Sequence, residues 1–369
     1  MKRLKTLLVA NRGEIAIRVF RAASELGIRT IAIYSNEDRF SLHRFKADES
    51  YLVGEGKGPV EAYLDIEDII RIALDAEAQA IHPGYGFVAE NPEFAEACAK
   101  RGIIFVGPAP DTLRLLGNKV AARALAQKAQ VPVLPATGPL PNDTDAVKKL
   151  AEQIGYPLML KASWGGGGRG MRVIEKQSQL ADHVEAARAE ARAAFGKDEL
   201  YLEKLVQNAW HVEVQLLGDA HGTIYHLFER DCSVQRRNQK IVERAPAPYL
   251  DEQRRGQLCE AALRLAKAAN YVNAGTCEFL FDRTTGQFYF IEVNPRIQVE
   301  HTVSEVVTGL DIVKAQIRIA MGAKLGTAET GVPPQSEIRL NGHALQCRIT
   351  TEDPLNNFIP DYGRIKAYR

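Results

Sequence analysis

No apolar run in this sequence approaches the roughly 20 residues that a membrane-spanning helix requires. This absence excludes a helical membrane protein. An apolar stretch typical of a core strand follows Met1 almost at once. We therefore expect a cytoplasmic protein that does not interact with membranes.

Cysteine is scarce and net charge is nearly absent. The five cysteines are widely scattered, odd in number and never in CxxC spacing, which argues against a disulfide framework and against a zinc site. The 47 basic and 46 acidic side chains leave a net charge of +1, so no overall field attracts nucleic acid. Any basic binding site must therefore be local.

Apolar residues are plentiful: they make up 46% of the 369 residues, enough to bury a large core in two or three domains. In residues 1–115, short apolar strands alternate with helical periodicity, which predicts a Rossmann-like parallel sheet flanked by helices. The connection at residues 11–14 lacks a GxGxxG turn, so a dinucleotide site is poorly supported. We predict strands near 6–10, 31–34, 80–82 and 103–106, and helices near 15–26, 66–76 and 92–101.

The remaining chain is richer in strands. A proline-rich stretch at 132–141 leads to strands at 156–162 and 171–174, which surround a glycine run. We assign a small lid domain to about 135–205 within a larger unit, 116–320. Residues 321–369 would begin a third, incomplete domain. Strands near 211–217, 223–228, 277–281 and 288–293 predict an antiparallel sheet, so the fold class is α/β followed by α+β.

The segment KASWGGGGRGMR contains Gly165, Gly166, Gly167 and Gly168, with Lys161 four residues before them. Glycine amides can wrap closely around a phosphate, and a lysine supplies a point charge for its oxygens. No Lys-Ser or Lys-Thr pair follows the glycines, so a β-hairpin lid fits better than a P-loop. A flexible hairpin tip is the alternative for the glycines alone.

Two strands, GTCEFLF and QFYFIEVN, are joined by a short turn at residues 284–286. A three-residue turn that ends in glycine sets Arg283 opposite Gln287. Counting outward from that pair sets Glu278 opposite Glu292 on the same face. Opposed like charges destabilise a strand pair, so we expect a cation between them, or a proton on one of them.

Asn294 follows Glu292 by two residues and shares its face, which adds an amide oxygen to the pair. We predict that Glu278, Glu292 and Asn294 bind Mg²⁺ or Mn²⁺. Such a metal bridges the terminal phosphates of ATP during phosphoryl transfer. A solvated acidic face is the alternative.

Arg296, Gln298 and Glu300 alternate on one side of a segment that we predict to be extended. Arg296 can hold two oxygens of a small planar anion, Gln298 and the amide of Val299 can donate hydrogen bonds, and Glu300 can take a proton. Bicarbonate fits this set. A surface ion pair between Arg296 and Glu300 is the alternative, against which the adjacent metal hairpin argues.

The glycine loop and its lysines resemble the ATP-grasp ligases, and four motifs together resemble the biotin carboxylase family. These are KASWGGGGRGMR, FERDCSVQRRNQK, FIEVNPRIQVEH and NGHALQCRITTEDP, in the order expected for the family. The resemblance runs from Leu7 to the last residue. It implies a pre-ATP-grasp domain, an ATP-grasp domain and the formation of carboxyphosphate, which releases carbon dioxide to carboxylate biotin.

The resemblance also implies roles for individual residues. Glu300 would be the general base and Arg296 would orient bicarbonate. Lys240 would hold bicarbonate or carboxyphosphate, and Arg348 would stabilise charge on the ureido oxygen of biotin. Tyr85, in the turn HPGYGF, would lie near the biotin pocket, or would simply pack within a tight turn. Nucleotide and phosphates would contact Lys119, Lys161, Glu203, Lys204, Leu205, His211, Glu213, Gln235 and Asn238.

Two positions distinguish this sequence from many relatives. Asn238 stands where many carry histidine beside the ribose, which puts that contact in question. Trp164 stands where many acetyl-CoA carboxylase subunits have glycine, and with NQKIVERAPAPY and NFIPDYGRI it resembles the pyruvate carboxylases more closely. That resemblance implies a biotinylated carrier domain, a carboxyltransferase domain and a second copy of this chain as partners. Because the family's domain extends past DYGRIKAYR, we expect a truncated piece with weaker stability or dimerisation.

Three other functions stay open from the sequence. The chain could be the corresponding part of an acetyl-CoA or propionyl-CoA carboxylase. It could be another ATP-grasp ligase, although those enzymes do not combine RIQVEH with RRNQK. It could also bind ATP without catalysis.

Overall fold

The computed structural model describes residues 3–164 and 171–361. Its strands form a five-stranded parallel sheet, a three-stranded sheet, a six-stranded sheet and a small hairpin. Among the described residues, no helix has both the length and the apolar character to cross a membrane.

The N-terminal region contains strands β1 (Thr6–Val9), β2 (Arg29–Tyr34), β3 (Glu49–Leu52), β4 (Ala80–His82) and β5 (Ile104–Phe105), with helices α1 (Gly13–Glu25), α2 (Ile66–Asp75) and α3 (Pro92–Lys100). The strands are parallel in the order β3-β2-β1-β4-β5. Leu7 and Val9 pack on the side of α1, and Leu8 packs on the side of α2 and α3. Both faces are therefore covered by helices, as the alternating pattern predicts.

Helices α4 (Pro110–Gly117) and α5 (Lys119–Lys128) lead to a smaller unit made of α6 (Thr144–Ile154), β6 (Leu158–Ala162), β7 (Arg172–Ile174), α7 (Leu180–Phe195) and β8 (Leu200–Lys204). Strand β6 lies between β7 and β8 and is antiparallel to both. Leu158, Leu160 and Leu202 form a separate core with the two helices. The strands predicted around the glycine run are confirmed, whereas Gly165, Gly166, Gly167 and Gly168 lie outside the described residues.

The largest sheet consists of β9 (Ala209–Gly218), β10 (Ile224–Arg236), β11 (Gln239–Ala245), β12 (Asn273–Asp282), β13 (Phe288–Asn294) and β14 (Ala344–Cys347), in the order β13-β12-β9-β10-β11-β14. Helix α8 (Glu252–Ala268) packs on its apolar face, where Val212, Val214 and Phe279 are buried. Helices α9 (His301–Thr308) and α10 (Ile312–Ala320) follow, and β15 (Glu352–Asp353) pairs with β16 (Ile359–Pro360).

The hairpin between β12 and β13 corrects one prediction and confirms another. Asp282 donates its backbone N–H to Gln287 at 2.8 Å, so the loop has four residues rather than three, and the predicted Arg283 pair with Gln287 is wrong. The Asp282 carboxylate holds this loop by accepting from the amide of Thr284 at 2.8 Å. A bulge then shifts the register by one residue, so Glu278 stands opposite Glu292 as predicted.

Candidate active site

Three neighbouring strands bring charged side chains together on the polar face of the six-stranded sheet. Glu213 of β9 stands beside Arg230 of β10 on one side and beside Glu278 of β12 on the other. All three side chains are buried. Because an unpaired buried charge is costly, each of them must have partners within the protein.

Lys240, near the start of β11, is the centre of this group. Its ammonium group contacts the carboxylates of Glu213, Glu278 and Glu300, the last two at 2.8 Å. Burial alone would lower the pKa of Lys240, but the carboxylates outweigh burial and raise it well above its ordinary value. The side chain is therefore a permanent positive charge at the position predicted for holding an anion.

Glu278 has partners on both of its oxygens. Oε1 accepts from Lys240 and from Asn294 at 2.8 Å and from Gln298 at 2.9 Å, while Oε2 lies 2.9 Å from Nε2 of His211. Burial would raise the pKa of Glu278, but the charges of Lys240 and His211 hold it well below its ordinary value. This carboxylate is therefore ionised.

The other two predicted metal ligands, Glu292 and Asn294, have hydrogen-bond or ion-pair partners within the protein. The Glu292 carboxylate pairs with the ammonium group of Lys119 at 2.8 Å. Asn294 donates its amide nitrogen to Glu278 and accepts from Arg296 at 3.2 Å through its oxygen. Protein cations thus compensate the opposed carboxylates. By donor chemistry, two carboxylates and an amide oxygen fit Mg²⁺ or Mn²⁺.

Among the described residues, two further groups each hold possible ligand atoms within 4.8 Å of one another: His211, Glu213 and Glu278, and Glu213, Cys232 and Glu300. The ammonium group of Lys240 contacts the carboxylates of both groups. We therefore interpret these groups as a carboxylate cage around a lysine rather than as additional metal sites.

Glu300 and Arg348 form the other side of the group around Lys240. Nη2 of Arg348 donates to Oε2 of Glu300 at 2.8 Å, and its Nε donates to Glu243 at 2.5 Å. Burial alone would raise the pKa of Glu300, but Lys240 and neighbouring arginines outweigh burial and lower the pKa to about 2. Glu300 is therefore ionised in this arrangement.

We expected the segment that carries Arg296, Gln298 and Glu300 to be extended, and this prediction is wrong. It forms a bend at Arg296 and a turn that includes Val299, and then enters α9. The turn brings the buried Gln298 and Glu300 toward Glu278 and Lys240, while Nε of Arg296 donates to Glu90 at 2.5 Å. Arg296 and Glu300 therefore do not pair with each other: Arg296 pairs with Glu90, and Glu300 pairs with Lys240.

A second charged group lies between the three-stranded sheet and α5. Lys161 of β6 pairs with Glu203 of β8, and both side chains are buried. Arg123 lies 3.6 Å from the other Glu203 oxygen. The amide of Lys119 donates to the carbonyl of Ser163 at 2.9 Å, and Ser163 precedes the glycine run in the sequence. Lys161 and Glu203, both predicted to contact the nucleotide or its phosphates, pair with each other in this structure.

Lys204 and Leu205, predicted to contact the nucleotide, use their backbone N–H groups within the fold. The amide of Lys204 donates to Pro135 at 2.8 Å, and that of Leu205 donates to Pro157 at 3.3 Å. The Lys204 ammonium group donates at 2.9 Å to two carbonyls, those of Gly155 and Tyr156. Their amide hydrogens therefore already have acceptors.

His211 and Gln235 lie together, with Nε2 of Gln235 3.0 Å from Nδ1 of His211. Burial lowers the pKa of His211, but Glu278 outweighs it and the net pKa is raised. Asn238 lies apart from them, exposed in the turn between β10 and β11. Its φ of 63° follows a φ of 51° at Arg237, which is the pattern of a tight hairpin turn that favours asparagine.

Tyr85 lies in a turn held by the N-terminal sheet. Asn11 donates from its amide nitrogen to the carbonyls of Pro83 and Tyr85 at 2.7 and 2.8 Å, and the Tyr85 hydroxyl donates to Glu14. Burial, together with Glu14, raises the pKa of Tyr85, and the charges of Arg348 and Glu300 also act on it. Tyr85 therefore lies near the group around Lys240.

Four charged residues that support the site were not predicted from the sequence. For the two that lie in strands, Arg230 and Glu243, one signal was available: a charged residue at alternate positions in a strand with apolar neighbours points to a buried polar face. Their partners lie far away in sequence, however, and no local pattern identifies them. The four are Glu90, which pairs with Arg296; Arg123, near Glu203; Arg230, which contacts Glu213 and Gln298; and Glu243, which pairs with Arg348.

A family model described as "Biotin carboxylase, N-terminal domain" matches residues 3–113, and "Carbamoyl-phosphate synthase L chain, ATP binding domain" matches residues 118–328. The biotin carboxylase domain dimer of 2-oxoglutarate carboxylase from Hydrogenobacter thermophilus, solved with MgADP, ADP and bicarbonate, is 47% identical with a TM-score of 0.93. The match covers 98% of this chain and 78% of that one. The chain belongs to the biotin carboxylase family.

This chain is also similar to longer proteins. Pyruvate carboxylase from Staphylococcus aureus is 57% identical, over 100% of this chain and 32% of the relative. The structure of Rhizobium etli pyruvate carboxylase with the allosteric activator acetyl coenzyme-A is 66% identical with a TM-score of 0.95, and the match covers 99% of this chain and 33% of that one. The chain spans about a third of the length of the curated relatives it matches.

Proposed function

We propose that this chain carboxylates biotin with bicarbonate and ATP, as the first half-reaction of a pyruvate carboxylase. The observation that supports this best is the buried ammonium group of Lys240, which contacts Glu213, Glu278 and Glu300. A preorganised cation of this kind stabilises an anion as it reacts, because its charge needs no reorientation. Arg348 adds a second cation beside it.

For the nucleotide, we assign phosphate contacts to Lys119 and Lys161, which now neutralise Glu292 and Glu203. Magnesium held by Glu278, Glu292 and Asn294 would supply charge neutralisation for the transferred phosphoryl group. The protein's own part is to hold Glu278 ionised, which the charges of Lys240 and His211 do by lowering its pKa. The wider assignment adds the four glycines and Glu203, Lys204, Leu205, His211, Gln235 and Asn238.

For bicarbonate, we assign binding to Arg296, Gln298 and the amide of Val299, with Glu300 as the general base. A carboxylate with a pKa of about 2 is a weak base. Binding of an anion to Lys240 would weaken the contact of that lysine with Glu300. The proton affinity of Glu300 would then rise where a base is needed.

For biotin, we assign Arg348 and Tyr85. Arg348 already contacts Glu300, so a single guanidinium group connects the proposed base with the proposed acceptor. Its planar fork suits an oxygen that becomes negative. Tyr85, held by Glu14 and Asn11, would line the same end of the site.

The proposal extends to the whole enzyme. We propose a biotin carrier domain and a carboxyltransferase domain as partners, a homodimer, and the division into residues 1–115, 116–320 with its lid at 135–205, and 321–369. A cytoplasmic location stays a prediction. The corresponding part of an acetyl-CoA or propionyl-CoA carboxylase is the alternative for the final acceptor.

The test is ADP release by the purified chain with Mg²⁺, measured with and without bicarbonate and free biotin. The proposal expects release that depends on bicarbonate and increases with biotin. Release that ignores both would indicate another ATP-grasp ligase. Tight nucleotide binding without release would indicate a module that lacks catalysis.

The metal assignment is tested by Glu278→Gln and Glu292→Gln. Each change removes a charged oxygen ligand, so metal-dependent ADP release should be lost. Glu96→Gln is a matched control, because Glu96 pairs with Arg114 on the surface of the N-terminal region. Near-normal activity in either site variant would refute the assignment.

A further inference from the structure

Arg230 is fully buried, and its guanidinium group has an acceptor for every N–H. An arginine carries five such donors. They donate to Glu213 at 2.8 Å, Gln215 at 2.7 Å, Ser304 at 3.0 Å, Thr276 at 3.2 Å and Gln298 at 2.7 Å. These acceptors come from β9, β12, α9 and the turn before α9.

Arg230 has no route to a substrate. Its exposed fraction is 0%, and all five hydrogens are already donated. Any influence on the reaction must therefore pass through the residues that it holds.

Gln298 is the residue through which this influence reaches the proposed anion site. Its side-chain oxygen accepts from Nη2 of Arg230, and its nitrogen donates to Glu278 at 2.9 Å. An amide turned the other way would place two donors against Arg230 and an oxygen against the Glu278 carboxylate. Arg230 thus decides which end of the Gln298 amide faces Glu278.

We propose that Arg230 is a positioning residue that holds the NH₂ group of Gln298 toward the bicarbonate site. The site then presents a donor there, which favours an anion with acceptor oxygens. This inference rests on the proposed function, since it deepens the role of Gln298 in that function.

A purely electrostatic role for Arg230 is the competing explanation. Glu213 contacts both Arg230 and Lys240, so a positive charge at position 230 could serve only to neutralise it. Lysine at position 230 keeps that charge. It carries three donors on one nitrogen and cannot reproduce the planar fork that reaches Gln298.

The first experiment is steady-state ADP release by Arg230→Lys. We expect the KM for bicarbonate to rise by about 10- to 100-fold, the range found when groups that orient a ligand are replaced. The KM for ATP should change by less than about twofold, because Arg230 contacts none of the residues assigned to nucleotide except Glu213. In a Gln298→Ala background, Arg230→Lys should add little, because the residue it orients is gone.

Arg255→Lys is the matched control. Arg255 also donates to a buried carboxylate of β10, that of Glu229, at 2.9 and 3.0 Å. The change should lower thermal stability and leave the KM for bicarbonate unaltered. An unchanged KM in Arg230→Lys, or an effect that is fully additive with Gln298→Ala, would overturn the proposal.

A second readout does not require activity, so it separates this inference from the proposed function. In protein labelled with ¹⁵N-glutamine, the Gln298 NH₂ signals are those missing from Gln298→Glu. We expect them to shift or broaden in Arg230→Lys and to stay in place in Arg255→Lys. Unchanged signals in folded Arg230→Lys would sink the inference even if the chain is active.

A further pair of variants covers the case in which Arg230→Lys does not fold. Thr276→Val removes the other acceptor of Nη2 and keeps the arginine, so the Gln298 signals should shift. Ser304→Ala changes only an acceptor of Nη1, so they should stay. The reverse pattern would contradict the proposal.

Discussion

The parallel sheet and the six-stranded antiparallel sheet use the same kind of strand for different purposes. In the parallel sheet, β1 is buried on both faces: Leu7 and Val9 join one core and Leu8 joins another. In the antiparallel sheet, β12 buries Phe279 on one face and Glu278 on the other. In the first sheet, Asn11 and Tyr85 offer polar groups just after the ends of β1 and β4.

This difference shows where each sheet can contribute to chemistry. Both faces of a parallel sheet are covered by helices, so ligands meet it at the carboxyl ends of its strands. An antiparallel sheet can pack one face against the core and carry a polar site on the other. The residues assigned to metal and bicarbonate accordingly come from the polar face of β12, β13 and the turn that follows.

The largest expected effect would come from removing the cation on that polar face. In Lys240→Met, Glu213, Glu278 and Glu300 lose their shared partner, so unfolding free energy should fall by about 3–5 kcal/mol at pH 7. Bicarbonate-dependent ADP release should also disappear. Urea unfolding measures the first effect, with Lys148→Met, at a surface pair, as control.

The loss of stability in Lys240→Met should also depend on pH, in a direction that follows from the carboxylates. Without Lys240, close carboxylates hold each other's pKa above the ordinary value in the folded chain. Such groups favour folding as they take up protons, so the deficit relative to wild type should shrink between pH 7 and pH 5. A deficit that stays constant would mean that packing, not charge, explains the loss.

The next largest effect on stability is expected from the apolar face of β12. Phe279→Ala should cost about 3–5 kcal/mol of unfolding free energy by leaving a cavity under α8, with little change in the KM for bicarbonate. Leu8→Ala in the parallel sheet should cost about 2–5 kcal/mol in the same way. A large rise of KM in Phe279→Ala would show that the two faces of β12 are not independent.

The smallest expected effect concerns two buried histidines, one beside each sheet. Burial lowers the pKa of His82, at the end of β4, and of His301, at the start of α9, to about 4. In the unfolded chain both take up protons near pH 6.5, so their contribution to stability is complete above 6.5 and is lost as pH falls toward 4. Between pH 6.5 and 5, each should account for about 2 kcal/mol.

Urea unfolding at pH 7 and pH 5 checks this prediction. The fall in stability should be smaller in His82→Gln than in wild type, since that variant has no proton to take up at position 82. Exposed His343 provides the control His343→Gln, which should keep the wild-type dependence. An equal fall in all three proteins would count against the assignment to His82.

Much of the fold follows from local patterns. Helices were predicted near 66–76 and 92–101, and the side chains of Asp65 and Asn91, just before them, accept hydrogen bonds from the first turns of α2 and α3. The alternation of β12 and β13 predicted that Glu278 and Glu292 share a face. The turn length between them was wrong, because the Asp282 side chain closes a longer loop and the bulge compensates for it.

The site was predictable only in part. Chemistry and spacing pointed to Glu300, whereas Lys240 and Arg348 were named only through the resemblance to the family. The contact of Arg348 with Glu300 was not predicted, because Arg348 lies 48 residues after Glu300 in the chain. The predicted extended segment fails for a related reason: the turn after Arg296 exists because Gln298 is drawn toward Glu278 and Arg230.

The sequence by itself determined the parallel N-terminal sheet, the polar and apolar faces of the later strands, and the residue types capable of binding nucleotide, metal and bicarbonate. These features depend on periodicity and on neighbours within a few positions, which the chain carries directly. The tertiary structure alone decided that Lys240 would sit among three carboxylates and that Arg230 would hold Gln298. Buried charges must find partners wherever the fold brings them, and sequence distance does not limit that choice.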